Sequence, residues 1–152
     1  MLDLLEELRN VIACVDAAGL PYALCGGLAM AVHGYPRATV DIDLLVLVED
    51  LDRLETAVRP LGFVLPARPM SFKGGDVEIR RVTKTHSSGQ VLSLDLLLVT
   101  PAVQGVWDGR QAMEWDFGKI TVVSRDGLIA LKSIRGSGLD QDDIKRLRGE
   151  IE

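Results

Sequence analysis

Residues 25–43 read Cys25-Gly26-Gly27-Leu28-Ala29-Met30-Ala31-Val32-His33-Gly34-Tyr35-Pro36-Arg37-Ala38-Thr39-Val40-Asp41-Ile42-Asp43. The apolar run Tyr22 to Cys25 is a short strand candidate, and Gly26-Gly27 breaks it. Leu28 to His33 has the composition of a short helix, which Gly34-Tyr35-Pro36 ends. A strand that turns straight into a helix exposes unpaired N–H groups, which together with the helix dipole favour an anion. Glycine allows the backbone to approach such an anion closely. A tight turn in a crowded core is the plainer explanation of a glycine pair, and short glycine motifs alone are weak signals.

The next strand candidate, Val40 to Val48, opens with Asp41 and Asp43. Side chains two apart on a strand share a face, and aspartate is depleted in strands. Two carboxylates this close repel and raise each other's pKa. A bound cation removes that penalty, and hard oxygen ligands suit magnesium. The alternative is a pair of exposed acids neutralised by Arg37 or Arg110. A third acid, Asp95, interrupts the apolar run Val91 to Val99. It shares a face with Ser93 and Leu97, and burying it unpaired would be costly. If its strand lies beside that of Asp41, three carboxylates converge, able to hold two metals about 4 Å apart and to accept a proton from an attacking hydroxyl. A salt bridge to a neighbouring arginine is the other reading of Asp95.

The glycine pair, the spacer and the Asp-x-Asp strand, with a later acid, resemble the signature of the polymerase-β-type nucleotidyltransferases. The particular run from Gly26 to Asp43 resembles the AbiEii-like group, as does Leu128-Ile129-Ala130-Leu131-Lys132 followed by Arg135 and Asp140-Gln141-Asp142-Asp143-Ile144. The resemblance implies an α+β fold with a mixed β-sheet of the polymerase-β nucleotidyltransferase type, covered by helices and ending in a short helical C-terminus. It implies an enzyme that transfers a nucleoside monophosphate from an NTP to a hydroxyl acceptor, with two Mg2+ ions, or Mn2+ in their place, on Asp41, Asp43 and Asp95. Gly26, Gly27, Arg37 and Lys132 would hold the phosphates. Acceptors of this group include tRNA or other RNA, protein hydroxyls and small antibiotics. A toxin of a toxin–antitoxin pair is one expected role, with an antitoxin or a second copy of the chain as partner. The chain departs from the superfamily in lacking the serine many members carry at the second glycine position, and its C-terminal part is short. These departures motivate an alternative: a non-catalytic nucleotide-binding or toxin–antitoxin interaction module.

Lys132 falls on the same helix face as Leu128 and Ile129. An inward cation needs an anion, which a triphosphate would supply; a snorkelling lysine is the alternative. Asp140 and Asp143 read as capping and solvating the last helix.

Around this centre, apolar spacing predicts a helix over residues 2–17, with Gly19 as its stop, and another from Leu51 to Leu61 with Asp50 as cap. Residues 62–65 suit a short strand, and 66–75, with two prolines and two glycines, a loop. Asp76 to Thr83 and Gln90 to Val99 form a hairpin candidate. Residues 107–109 are turn-like, and residues 112–117 and 119–123 suggest a second hairpin. Ser124 caps a helix to Arg135, and Gly136-Ser137-Gly138 separates it from a last helix beginning at Asp140. No linker divides residues 1–152, so a single nucleotidyltransferase domain is expected, with helices over about 125–150 packed on it.

The composition agrees. Of the 152 residues, 47% are hydrophobic, and 17 basic against 22 acidic residues give a net charge of −5. That disfavours coating of nucleic acid by bulk positive charge. Basic groups at Arg80, Arg81 and Lys84 and at Lys145, Arg146 and Arg148 read as solvated faces. Cys14 and Cys25 have no disulfide or zinc spacing. No apolar run approaches the ~18 residues that span a bilayer, and the acidic start lacks a signal-peptide pattern. A cytoplasmic protein without membrane contact is expected.

Overall fold

The structure is a computed structural model. It describes residues 3–36, 38–116, 118–135 and 138–151. Arg37 and Phe117, and the Gly136-Ser137 part of the expected helix break, lie outside the described residues.

Helix α1 (Leu4–Ala17) starts two residues later than its apolar spacing suggests. Asp3 stands before it, and its carboxylate accepts from the N–H groups of Leu5 and Glu6. At the other end Gly19 adopts φ +69°, while Gly19 N–H donates to Asp16 and Leu20 N–H to Val15. That pair of bonds closes the helix in the left-handed glycine stop expected there. Strand β1 (Ala23–Cys25) runs directly into helix α2 (Gly26–Val32), and β2 spans Asp41–Val46. A 3-10 turn over Val48–Asp50 leads into α3 (Leu51–Val58). Asp50 makes no side-chain cap there; its carboxylate is nearly buried and lies 3.6 Å from Arg53, one turn along.

The remaining strands are β3 (Leu65–Pro66), β4 (Met70–Phe72), β5 (Val77–Thr85), β6 (Val91–Leu98), β7 (Gln111–Trp115) and β8 (Gly118–Val122). Helix α4 (Gln104–Asp108) replaces the expected turn at 107–109, and α5 (Arg125–Arg135) and α6 (Gly138–Leu147) end the chain's regular structure. Both expected hairpins form, and β4, which lies within the loop expected over residues 66–75, pairs with β5. Among the described residues the eight strands make one mixed sheet in the order β3-β5-β6-β2-β1-β8-β7, with β4 attached to β5. β2 runs parallel to β6, and β1 parallel to β8; the other pairs are antiparallel. The α+β arrangement read from the sequence is therefore present.

The period of two along β2 and β6 sorts their faces. Ile42, Leu44, Leu94 and Leu96 are fully buried on one side, while Asp41, Asp43 and Asp95 lie on the other and line a cleft. α1 packs on α3 and α5 on α6. Ser124 caps α5: its Oγ accepts from Gly127 N–H at 2.9 Å, and its carbonyl accepts from Leu128. Ser124→Ala should cost about 1 kcal/mol, read as a fall in the urea midpoint with unchanged slope.

The two C-terminal helices are joined by buried charge. Lys132 is 2% exposed, and its Nζ donates to Asp143 at 2.8 Å and lies 3.6 Å from Asp140. Neither reading of Lys132 by itself, snorkelling or waiting for a phosphate, describes this pairing. Asp140 and Asp143, expected to be solvated, are 1% and 0% exposed. The polar pattern of α6 suggested solvent, but its acids turn inward to meet the lysine. Asp143→Ala would strand most of a buried ammonium and should destabilise by about 2–4 kcal/mol, measurable by urea unfolding. Leu147→Met, a swap close to volume-conserving at a fully buried site of the same helix, should cost about 1 kcal/mol or less.

Candidate active site

Four adjacent strands, in the order β5-β6-β2-β1, set the site residues in register. Cys25 faces Asp43 across β1 and β2, Asp43 faces Asp95 across β2 and β6, and Asp95 faces Arg81 across β6 and β5. Paired positions on neighbouring strands project to the same side of the sheet. Asp41, Asp43 and Asp95 thus meet on the wall of one cleft of about 750 Å³. Gly26 and Gly27 lie on the same wall, and α5 supplies the facing side through Leu128, Leu131 and Arg135.

Gly26 is more than a turn residue. Its φ is +68°, and a Cβ built on it would stand 2.7 Å from Asp43 Cγ and collide with Oδ2. The backbone of the elbow therefore touches the central carboxylate. Gly27 is close-packed for a different reason. A Cβ there would meet Thr39 Oγ1 at 2.7 Å, so a threonine hydroxyl from the following loop stands over the position that lacks a side chain of its own.

Burial, then the charges of Asp95 and Asp41, push the Asp43 carboxyl up to about 7. Burial and Asp95 also raise Asp41. Two groups moderate Asp43: Arg135 first, then Lys132. Burial, and after it Asp43, raises the Cys25 thiol well above its usual range, so this cysteine is packed behind the site as a neutral group.

Asp95 has a partner that sequence reading left unplaced. Arg81 donates through Nε to Oδ1 at 2.7 Å and through Nη2 to Oδ2 at 3.0 Å. The side chain of Asp95 is 9% exposed and that of Arg81 37%. Arg110, considered as a neutraliser of the Asp pair, instead lies over the Trp107 ring at 4.0 Å and donates to its carbonyl. The basic group around Arg81 is not a solvated face: Arg80 pairs with Glu78, and Lys84 with Glu7 at 2.8 Å.

The donor set tests a divalent cation. Three carboxylates on one side of adjacent strands offer hard oxygens, and the mutual repulsion that raises Asp43 is what a cation relieves. Both oxygens of Asp95 are engaged by Arg81, however, and among the described residues no group of three or more metal-binding side chains stands arranged around one point. The chemistry of Asp41 and Asp43 fits a hard cation, and Asp95, which accepts one bond from Arg81 at each oxygen, keeps lone pairs for one.

Comparison with solved structures identifies the architecture. A candidate nucleotidyltransferase of Thermotoga maritima superposes with a TM-score of 0.63 at 14% identity, over 97% of this chain and 94% of that one. The fold is that of a nucleotidyltransferase. The lincosamide adenylyltransferase LnuA, solved with lincomycin, matches with a TM-score of 0.59 at 13% identity, over 96% of this chain and 97% of its own. ANT(2")-Ia, solved in complex with adenylyl-2"-tobramycin, matches with a TM-score of 0.57 at 20% identity, over 92% of this chain and 84% of its own. No family model and no curated protein sequence matches the chain. The likeness is one of fold, and the narrower AbiEii-like grouping rests on the motif resemblance alone. Among the described residues, no helix is long and apolar enough to cross a membrane.

The three acids and the glycine elbow singled out from the sequence lie together on one cleft. The other reading of Asp95, a salt bridge to a neighbouring arginine, is present with Arg81 as the partner the sequence does not name, and Thr39 over Gly27 is not foreseen. Arg135 was noted only as part of a motif, yet it reaches the cleft from the last turn of α5, 60% exposed, with Nε 3.4 Å from Asp140. Its position three residues after Lys132 was the available signal.

Proposed function

We propose that the chain is a divalent-cation-dependent nucleotidyltransferase. It moves a nucleoside monophosphate from an NTP to a hydroxyl acceptor and releases pyrophosphate. The observation that carries this reading is the alignment of Asp41, Asp43 and Asp95 on one cleft wall, with Gly26 in contact with Asp43. Asp41 and Asp43 hold the cations, and Asp95 joins them. Magnesium, or manganese in its place, would polarise the α-phosphate and neutralise the polyphosphate. The chain's own part is positioning and charge. Gly26 and Gly27 let the polyphosphate approach the backbone, and the Thr39 hydroxyl is at hand beside them. Arg135, exposed on the cleft, is the cation that can leave Asp140 for a phosphate. Lys132, held inside by Asp143, acts on the site through its field. Arg37, next to the Asp41 strand in sequence, is a further phosphate contact in this reading.

The test is incubation with each labelled NTP, Mg2+ and a cell extract, followed by identification of the labelled molecule. Labelling of a tRNA or a protein would place the enzyme with the toxin-like members, and labelling of a small hydroxylated compound with the drug-modifying ones. A second reading, a nucleotide-binding module without turnover, is favoured by one observation: Arg81 already balances the charge of the third carboxylate. Calorimetric binding of NTP with Mg2+ and no transfer to any acceptor would establish it in place of the first.

A further inference from the structure

We infer that the cleft contains a separate lobe for the acceptor, and that this lobe takes the apolar body of a small hydroxyl compound carrying no negative charge. The inference rests on the nucleotidyltransferase reading above and names its acceptor class. The lobe begins one step beyond the acids. Asp43, Asp95 and Arg81 stand in one cross-strand row. The next row on the same side of the sheet, two residues along, is Leu45, Leu97, Ile79 and Met70. It lies about 7 Å from the carboxylates, and all four residues line the cleft. Leu45 is fully buried, while Leu97, Ile79 and Met70 are partly open. Leu131 and Ile134 of α5 line the facing side. One cleft thus has a charged end and an apolar end.

The direction of attack assigns the apolar end to the acceptor. With the polyphosphate on the Gly26 elbow, the leaving pyrophosphate lies on the β1 side of the acids. Entering and leaving oxygens stand roughly in line across the phosphorus, so the hydroxyl enters from the opposite side. In the sheet that side is β6, β5 and β4, the strands that carry Leu97, Ile79 and Met70. The acceptor hydroxyl gives its proton to Asp95, and its oxygen bonds to the α-phosphorus. The bond from that phosphorus to the bridging oxygen breaks, and pyrophosphate leaves. Charge then selects the acceptor. At the rim Asp76 and Glu78 stand with Lys73 and with Arg80, the partner of Glu78. Deeper in, Arg81, Lys132 and Arg135 each stand against a carboxylate. Among the described residues the lobe therefore holds no excess of positive charge for an anionic acceptor. A single-stranded RNA needs a basic track with aromatic platforms, and Phe72 is the one aromatic ring among the described lining residues.

The test uses the neutral dye N-phenylnaphthylamine, which brightens in apolar surroundings, titrated into the full chain. Wild type is expected to bind it saturably, and Met70→Glu about tenfold more weakly. Leu65→Glu, at an exposed position of β3 outside the cleft, should change binding by less than about twofold. Should Met70→Glu fold poorly, the uncharged Met70→Gln is expected to weaken binding about threefold. Competition reads the acceptor class. Phenylbutanol should displace the dye at about fourfold lower concentration than phenylpropanol, the effect of one buried CH2. It should do so at about tenfold lower concentration than phenylbutyrate, which has the same body and a carboxylate. Saturating NTP with Mg2+ should leave dye affinity within about twofold, because the two occupy different ends of the cleft. Displacement of the dye by NTP would give the lobe to the base and overturn the inference, leaving the nucleotidyltransferase reading intact. Equal displacement by phenylbutyrate, or tighter displacement by tRNA, would overturn it as well. Absence of dye binding in wild type, beside calorimetric binding of NTP, would remove the lobe alone. Absence of NTP binding would remove the nucleotidyltransferase reading, and the acceptor assignment with it.

Discussion

Asp43→Asn is expected to lower nucleotidyl transfer by about 1000-fold or more and, in the absence of metal, to make the protein more stable. Both effects come from one carboxylate. Asp43 sits between Asp41 along its own strand and Asp95 across the sheet, with the Gly26 backbone against it. In the unfolded chain its pKa has the ordinary value of 3.8; in the fold, burial and the two neighbouring acids bring it to about 7. A raised carboxyl pKa means that folding favours the protonated form. No penalty exists below about pH 4, where both states hold the proton. The penalty grows as pH rises from about 4 to 7, and is constant above that. At about 1.4 kcal/mol per unit the ceiling is about 4 kcal/mol, and relaxation of the site should leave about 1–3 kcal/mol. Urea unfolding in EDTA at about pH 8 should therefore show Asp43→Asn above wild type, and the difference should vanish near pH 4. Adding Mg2+ should raise wild type and leave the variant unmoved. Full transfer activity in the variant would dismiss Asp43 as a site residue, and a variant less stable than wild type at high pH would dismiss the account of its environment.

The contrast between what sequence could and could not reveal follows from the range of the interactions. Asp41 and Asp43 were legible because an alternation of two is local, and because aspartate at the head of an apolar strand needs a reason. Asp95 was legible for the same cause. Ser124 and Gly19 were legible as caps because their bonds reach only three to five residues. The pairing of Asp95 with Arg81 was not, since it depends on the register of the β5–β6 hairpin, fourteen residues apart in the chain. A one-residue slip would have turned Arg80 toward the cleft in its place. The Lys132–Asp143 bond depends on how two helices fold back on each other, and the acidic run on α6 looks solvated until that angle is known. Strand β4 was masked by the prolines and glycines that flank it, and α4, five residues long, is too short to show a helical period. Local physics thus marked the acids, while long-range pairing decided which of their oxygens are already in use.

That distinction makes Gly26 the most sensitive backbone position of the site. Gly26→Ala is expected to lower transfer by about 100-fold or more and to destabilise by about 2–4 kcal/mol. Two costs combine. At φ +68° any side chain is strained by about 1–2 kcal/mol. The added methyl also has no space: it would lie within 2.9 Å of Asp43 Cβ and closer still to its carboxyl, an overpacking cost of about 1–3 kcal/mol. The carboxylate is part of a paired strand, so it yields by turning its side chain away, and displacement of a catalytic group by about 1 Å is enough for a loss of that size. Gly34→Ala separates the two costs. Gly34 has φ +93° and nothing within 4 Å of the place its Cβ would take. That variant should bear the strain alone, losing about 1 kcal/mol with transfer within about twofold of wild type. Equal losses of activity in the two variants would mean that helix α2 matters only as a folded unit, and that the contact between elbow and carboxylate has no part in catalysis.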